Sequence, residues 1–160
     1  MYVTGGYQTV LKMFLDNTFI LDDHRVTLVP LQRMKNARAD HAVVYNKDKI
    51  YVFGGMSSKN ATQVESLGSC EVYSIKDDSW TELPPMTHAR QSFSVCHFNE
   101  KFFFAFGGKV LKETAKIGSA TMPFEFVSKI DVFDCDKGIW KIINYISESN
   151  KLRLLNPGTF

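Results

Sequence analysis

The chain has 160 residues, of which 44% are hydrophobic, 22% charged and 13% aromatic. That balance excludes a disordered chain, and a net charge of +2 gives no strong pull toward nucleic acid or anionic lipid. The longest dense apolar run, Phe102-Phe103-Phe104-Ala105-Phe106, is far too short to span a bilayer.

In chain order, the first element is Tyr2-Val3-Thr4, closed by Gly5-Gly6. The start of the chain lacks the basic, apolar and small-residue regions of a signal peptide. Later come Ile50-Tyr51-Val52-Phe53 before Gly54-Gly55, and Phe103-Phe104-Ala105-Phe106 before Gly107-Gly108. The three doublets are spaced by 49 and 53 residues. Other features keep the same phase. Met34 and Ala37-Arg38 return as Met86 and Ala89-Arg90, both at an offset of 52. Tyr73 precedes Trp80 by seven residues, as Phe133 precedes Trp140, and Leu21 and Leu28 hold these places in the first unit.

Each unit predicts four short strands. In the middle unit they run over His41–Asn46, Lys49–Phe53, Cys70–Ile75 and Ser79–Leu83, joined by the turn pairs Lys47-Asp48 and Asp77-Asp78. The two inner strands are apolar in continuous runs, which predicts that both their faces are covered by neighbouring units. Four antiparallel strands repeating about every fifty residues describe a propeller blade. The expected division is a partial first blade at 1–34, a second at 35–86, a third at 87–143, and the start of a further blade or a closing strand at 144–160. The chain starts in a second strand, and Leu152–Phe160 falls where a next innermost strand is due. The expectation is therefore an incomplete, open arc. It is either a slice of a longer propeller or one half of a ring completed by a second copy.

The segments ARADHAVVYNKDKIYVFGG and CEVYSIKDDSWTELPPM resemble the two halves of a kelch motif, and FFFAFGG with KIDVFDCDKGIW is similar. The first unit departs from the motif at Leu21 and Leu28. The resemblance implies an all-β kelch-type propeller portion of about three four-stranded blades. Its motif residues are Gly5, Gly6, Gly54, Gly55, Gly107, Gly108, Tyr73, Trp80, Phe133 and Trp140. It also implies a protein-interaction scaffold with protein partners, cytoskeletal or related to ubiquitin ligases, while the residues themselves lead to the expectation of no nucleic acid, membrane, cofactor or metal. Arg38 and Arg90 stand just before the innermost strands. Read from the residues, each guanidinium bonds backbone carbonyls; the resemblance adds that this position faces a bound peptide in some members.

Catalytic motifs are absent. His24, His41, His88 and His97 lack metal-ligand spacing, and His41 and His97 are candidates to line a channel. The turn carboxylates are explained by turn chemistry. The alternative to a scaffold is a propeller enzyme with a metal or small substrate at the channel end. Three cysteines, Cys70, Cys96 and Cys135, form no CxxC pair, which fits reduced thiols in a cytoplasmic protein. The sequence places the partner surface on the long segments Met56–Ser69 and Lys109–Val127 and on the connections Leu31–Ala37 and Pro84–Ala89. The candidate contacts are Arg38, Arg90, Lys59, Asn60, Lys109 and Phe124. Lys109–Val127 is unusually apolar, holding Val110, Leu111, Ile117, Met122, Phe124 and Phe126.

Overall fold

The computed structural model describes residues 1–112, 115–116 and 123–143. Ile117, Met122 and the expected further strand within 144–160 lie outside them. Every regular element among the described residues is a β-strand.

The first sheet joins β1 (Tyr2–Gln8), β2 (Met13–Asp22) and β3 (Thr27–Leu31) in that order. The second joins β4 (Ala42–Asn46), β5 (Lys49–Phe53), β8 (Cys70–Ser74) and β9 (Ser79–Leu83); between its middle strands the chain forms β6 (Met56–Ser58) and β7 (Gln63–Ser66). The third joins β10 (Ser94–Phe98), β11 (Phe102–Phe106), β15 (Ile130–Asp134) and β16 (Ile139–Ile143). Its middle strands are bridged by β12 (Lys109–Leu111), β13 (Ala115–Lys116) and β14 (Phe124–Phe126). All pairings in the blade sheets are antiparallel. The result is an all-β arrangement of blade-like antiparallel sheets, two of four strands and one of three.

The turns follow from their residues. Lys47 and Asp48 have φ of 50° and 57°, and Asn99 and Glu100 have 50° and 53°. Two successive left-handed residues match the turn to the twist of the flanking strands, so β4–β5 and β10–β11 are tight hairpins.

Strand β5 buries both faces, and its two sets of side chains enter different cores. Ile50 and Val52 join Met34, Tyr73 and Trp80, with Tyr2 and Leu31 from the first sheet packed against them. Phe53, with Tyr51 beside it, joins Phe103, Ala105 and Phe133 of the third sheet. Each core thus lies between two blades. Strand β4 departs from the expectation of two covered faces. Ala42 and Val44 are buried, but Val43 is 49% and Tyr45 57% exposed. The physical reason is that the first sheet has no strand in the matching innermost position to cover them.

The aromatic pair of each blade is cross-strand: Tyr73 stands opposite Trp80 and Phe133 opposite Trp140. Trp80 is buried and its indole N–H donates to the Gln32 carbonyl at 2.9 Å. Trp140 is half-buried; it donates to the Pro84 carbonyl at 2.8 Å and meets Phe53 edge-on. Gln32 and Pro84 are again 52 residues apart. Each tryptophan therefore packs against the preceding blade and fastens its exit strand.

Trp80→Ala opens a cavity between two sheets and removes the donor to the Gln32 carbonyl. It should cost about 3–5 kcal/mol, measured by urea denaturation. A variant as stable as the parent would show that the indole carries no interblade packing.

Candidate interaction face

The geometry of one end of the blades starts at Arg38 and Arg90, both fully buried. Arg38 donates through Nη1 to the carbonyls of Gly54 (2.7 Å) and Ser69 (2.9 Å), and through Nη2 to the Glu71 carboxylate (2.7 Å). Arg90 repeats the pattern, reaching the carbonyls of Gly107 (3.2 Å) and Lys129 (3.1 Å) and the Asp131 carboxylate (2.6 Å). Burial pulls the Arg90 guanidinium below its ordinary value, and the adjacent Asp131 charge opposes that fall. The two arginines were candidate partner contacts. Their burial puts them out of a partner's reach, and they act as braces that satisfy otherwise orphaned carbonyls.

The same residues also join blade to blade. The carbonyl of Arg38 accepts from the Gly6 N–H and that of Arg90 from the Gly55 N–H, both at 2.8 Å. The glycines permit this approach. Gly54 has φ of 58°, and a Cβ there would stand 2.6 Å from the Arg90 carbonyl and 2.7 Å from the Met86 methyl. Both the left-handed backbone and the neighbouring blade exclude a side chain.

Glu71 and Asp131 were not singled out from the sequence, although the signal was there. Each is an acidic residue inside an apolar strand, two places before the aromatic Tyr73 or Phe133. Their carboxylates also hold the interblade connections. Glu71 accepts from the N–H groups of Lys35 (2.6 Å) and Asn36 (3.0 Å), and Asp131 accepts from the N–H (3.3 Å) and Nδ1 (3.1 Å) of His88.

Above these braces, Met56–Ser69 and the described part of Lys109–Val127 are not irregular loops. β6 and β7 form a hairpin, with β13 added beside β7, and β12 pairs with β14. In the first unit β1 and β2 run on past a bulge between Thr4 and Gly6 to make the corresponding hairpin. The apolar residues of these segments explain the regularity. Phe14, Val64 and Leu111, one from each hairpin, are buried together with Ala39, and Met56 and Phe124 pack against them. Ser66 Oγ ties two hairpins, accepting from the Leu111 N–H at 3.0 Å and from Gln91 Nε2 at 3.1 Å. The interblade connections lie at this same end, through the bridges Ala39–Met56 and Gln91–Lys109.

The remaining candidate contacts fall on this hairpin layer. Lys59 and Asn60 are exposed at the β6–β7 tip. The Asn60 side-chain carbonyl accepts from the N–H groups of Thr62 (3.0 Å) and Gln63 (2.9 Å), which shapes the turn. Lys109 stands 4.2 Å from the centroid of the Phe124 ring, a cation–π contact.

The histidines do not assemble. His41 precedes β4 and sits against the first sheet, its Nε2 2.9 Å from Thr4 Oγ1. His97 lies exposed on β10, and His88 is held by Asp131. Among the described residues, no three His, Cys, Asp or Glu side chains could share a metal ion. Among the described residues no helix is long and apolar enough to cross a membrane.

Two substitutions read this end of the molecule. Arg38→Met leaves the Glu71 charge buried without its partner and should cost about 3–5 kcal/mol. Adding Glu71→Gln should restore part of that loss in a double-mutant cycle; simple additivity would break the pair as a unit. His41 gives a pH signature. Burial and, secondarily, the Arg38 charge lower it to about 4. The unfolded chain then takes up a proton that the folded one refuses. The stability contribution is whole above about pH 6.5 and is lost as pH falls toward 4, by about 3 kcal/mol in all. In His41→Asn that part of the urea-midpoint decline should vanish; an unchanged decline would refute the assignment.

Residues 37–87 match the family model for the Kelch motif. Over 107 residues the chain is 31% identical to Kelch repeat and BTB domain-containing protein 2 of Ectromelia virus (strain Moscow), covering 67% of the chain and 18% of that protein. It is 27% identical over 143 residues to bovine (Bos taurus) Kelch-like protein 36, covering 88% and 21%. It is 26% identical over 160 residues to Kelch-like protein 15 of Danio rerio, covering 91% and 24%. The chain therefore spans about a fifth of the length of these relatives.

Proposed function

The chain belongs to the kelch-motif family, and from that premise we propose that it is a protein-interaction module binding partner proteins through its hairpin face. The observation that carries this reading is the second storey of hairpins. It has its own small core in Phe14, Val64 and Leu111, separate from the interblade cores, and it projects exposed tips from a rigid base. A rigid scaffold presenting exposed tips suits recognition.

Within that reading, recognition of a client for a larger assembly is the role we favour over a cytoskeletal one. The name of the viral relative joins kelch repeats to a BTB domain, so in that protein such repeats stand beside a second domain. We place the chain in the cytoplasm. Its cysteines are unpaired thiols, and burial pushes the Cys70 thiol up to about 12, so it stays protonated.

The test is capture of partner proteins from a cell lysate by the purified chain. Lys59→Glu with Lys109→Glu on the hairpin face should abolish capture while leaving the melting temperature unchanged. Lys76→Glu with Lys137→Glu, at the tips of the opposite turns, should leave it intact. The reverse pattern would sink the assignment of the face.

A further inference from the structure

The two ends of the blades carry different charge. At the turn end, exposed Asp23, Asp48, Asp77, Asp78, Glu100 and Asp136 balance the cations Lys47, Lys49, Lys76, Lys101 and Lys137, and two of these lysines are held in ion pairs, Lys47 with Glu100 at 3.2 Å and Lys101 with Asp136. At the hairpin end, Lys12, Lys35, Lys59 and Lys109 make no ion pair among the described residues, and only Arg33 does, with Asp16 at 3.3 Å. Lys12 and Lys59 occupy the tips of two neighbouring hairpins, where they are exposed. Beside these charges stand apolar side chains with no core to join: Val10 is 85%, Leu11 63% and Phe126 70% exposed.

We propose that the hairpin face takes an acidic polypeptide segment that also carries apolar side chains. This rests on the interaction reading above and names the chemistry of the partner. Opposite charge across the interface supplies long-range attraction and register, and the exposed apolar tips supply the area that charge alone does not. Nucleic acid would complement the lysines as well. It fits less closely, because the carboxylates of Asp40, Glu65 and Glu125 interrupt the basic surface and no run of positive charge tracks a phosphate backbone.

The experiment uses three fluorescent probes in an anisotropy titration of the whole chain: a peptide of about twelve residues alternating Glu and Leu, its Gln/Leu counterpart, and an oligo-dT of equal charge. The Glu/Leu peptide should bind at least about tenfold more tightly than either other probe, and should weaken by about tenfold between roughly 50 and 500 mM salt. Lys12→Glu with Lys59→Glu should cost a further loss of about tenfold, with the circular-dichroism melting curve unchanged. Equal binding of the Gln/Leu peptide, or of oligo-dT, overturns the acidic-segment inference, as does failure of the Glu/Leu peptide to bind. If those failures occur while lysate capture still depends on Lys59 and Lys109, the interaction face stands and only the partner chemistry falls. If the Glu/Leu peptide binds the double variant as tightly as the parent, the hairpin tips are not its site and this inference falls with them.

Discussion

The structure depends on a buried arginine that serves two blades at once. The guanidinium of Arg38 gathers the Gly54 carbonyl, the Ser69 carbonyl and the Glu71 carboxylate within its own blade. Its backbone carbonyl meanwhile accepts from Gly6 in the preceding one. A guanidinium is suited to this because its donors form a rigid planar fork and it stays charged. An ion pair removed from water costs less when its remaining hydrogen-bonding groups are satisfied, and of this pair only the Arg38 Nε lacks a partner among the described residues. Here the carboxylate spends its other lone pairs on the N–H groups of the interblade connection. One interaction thus fixes the bend after the second strand, the start of the third and the path into the blade.

The repetition of this unit sets the spacing of everything else. Pairs of residues 52 apart make the same contacts: Met34 and Met86 donate from their N–H groups to Asp16 and Gly68, and Arg38 and Arg90 to Leu15 and Leu67. Tryptophan N–H groups then bind Gln32 and Pro84. With backbone bonds, indole bonds and apolar cores all in one period, each blade is positioned by its neighbour, as in other repeat architectures.

Much of the fold was legible because its constraints are local. Glycine doublets, turn pairs and the seven-residue step between aromatics register strand ends and cross-strand partners directly, so the middle blade's strands fall where the residues put them. Less of the site was legible, for two physical reasons. The pairing of Arg38 with Glu71 joins residues 33 apart in the chain; the acidic residue in its apolar strand is a local signal, but nothing local says which arginine it meets. The segments after the glycines carry Val64, Leu111 and Phe124, apolar but sparse, and as single strings they read as loops. They become strands only because neighbouring hairpins supply the missing face. The exposure of Val43 and Tyr45 has a similar origin, since a strand's sequence cannot say whether a neighbour stands opposite it.

The Asn60 turn closes on itself. Its amide carbonyl satisfies Thr62 and Gln63, its amide nitrogen bonds the Gln63 side chain at 2.6 Å, and the hairpin beneath is anchored by Val64. The tip therefore owes nothing to the blade braces, and the braces owe nothing to the tip. Such a partition lets residues of the outer rim be exchanged without disturbing the framework below. A change at the tip is felt at the tip, and the buried braces below it keep their geometry.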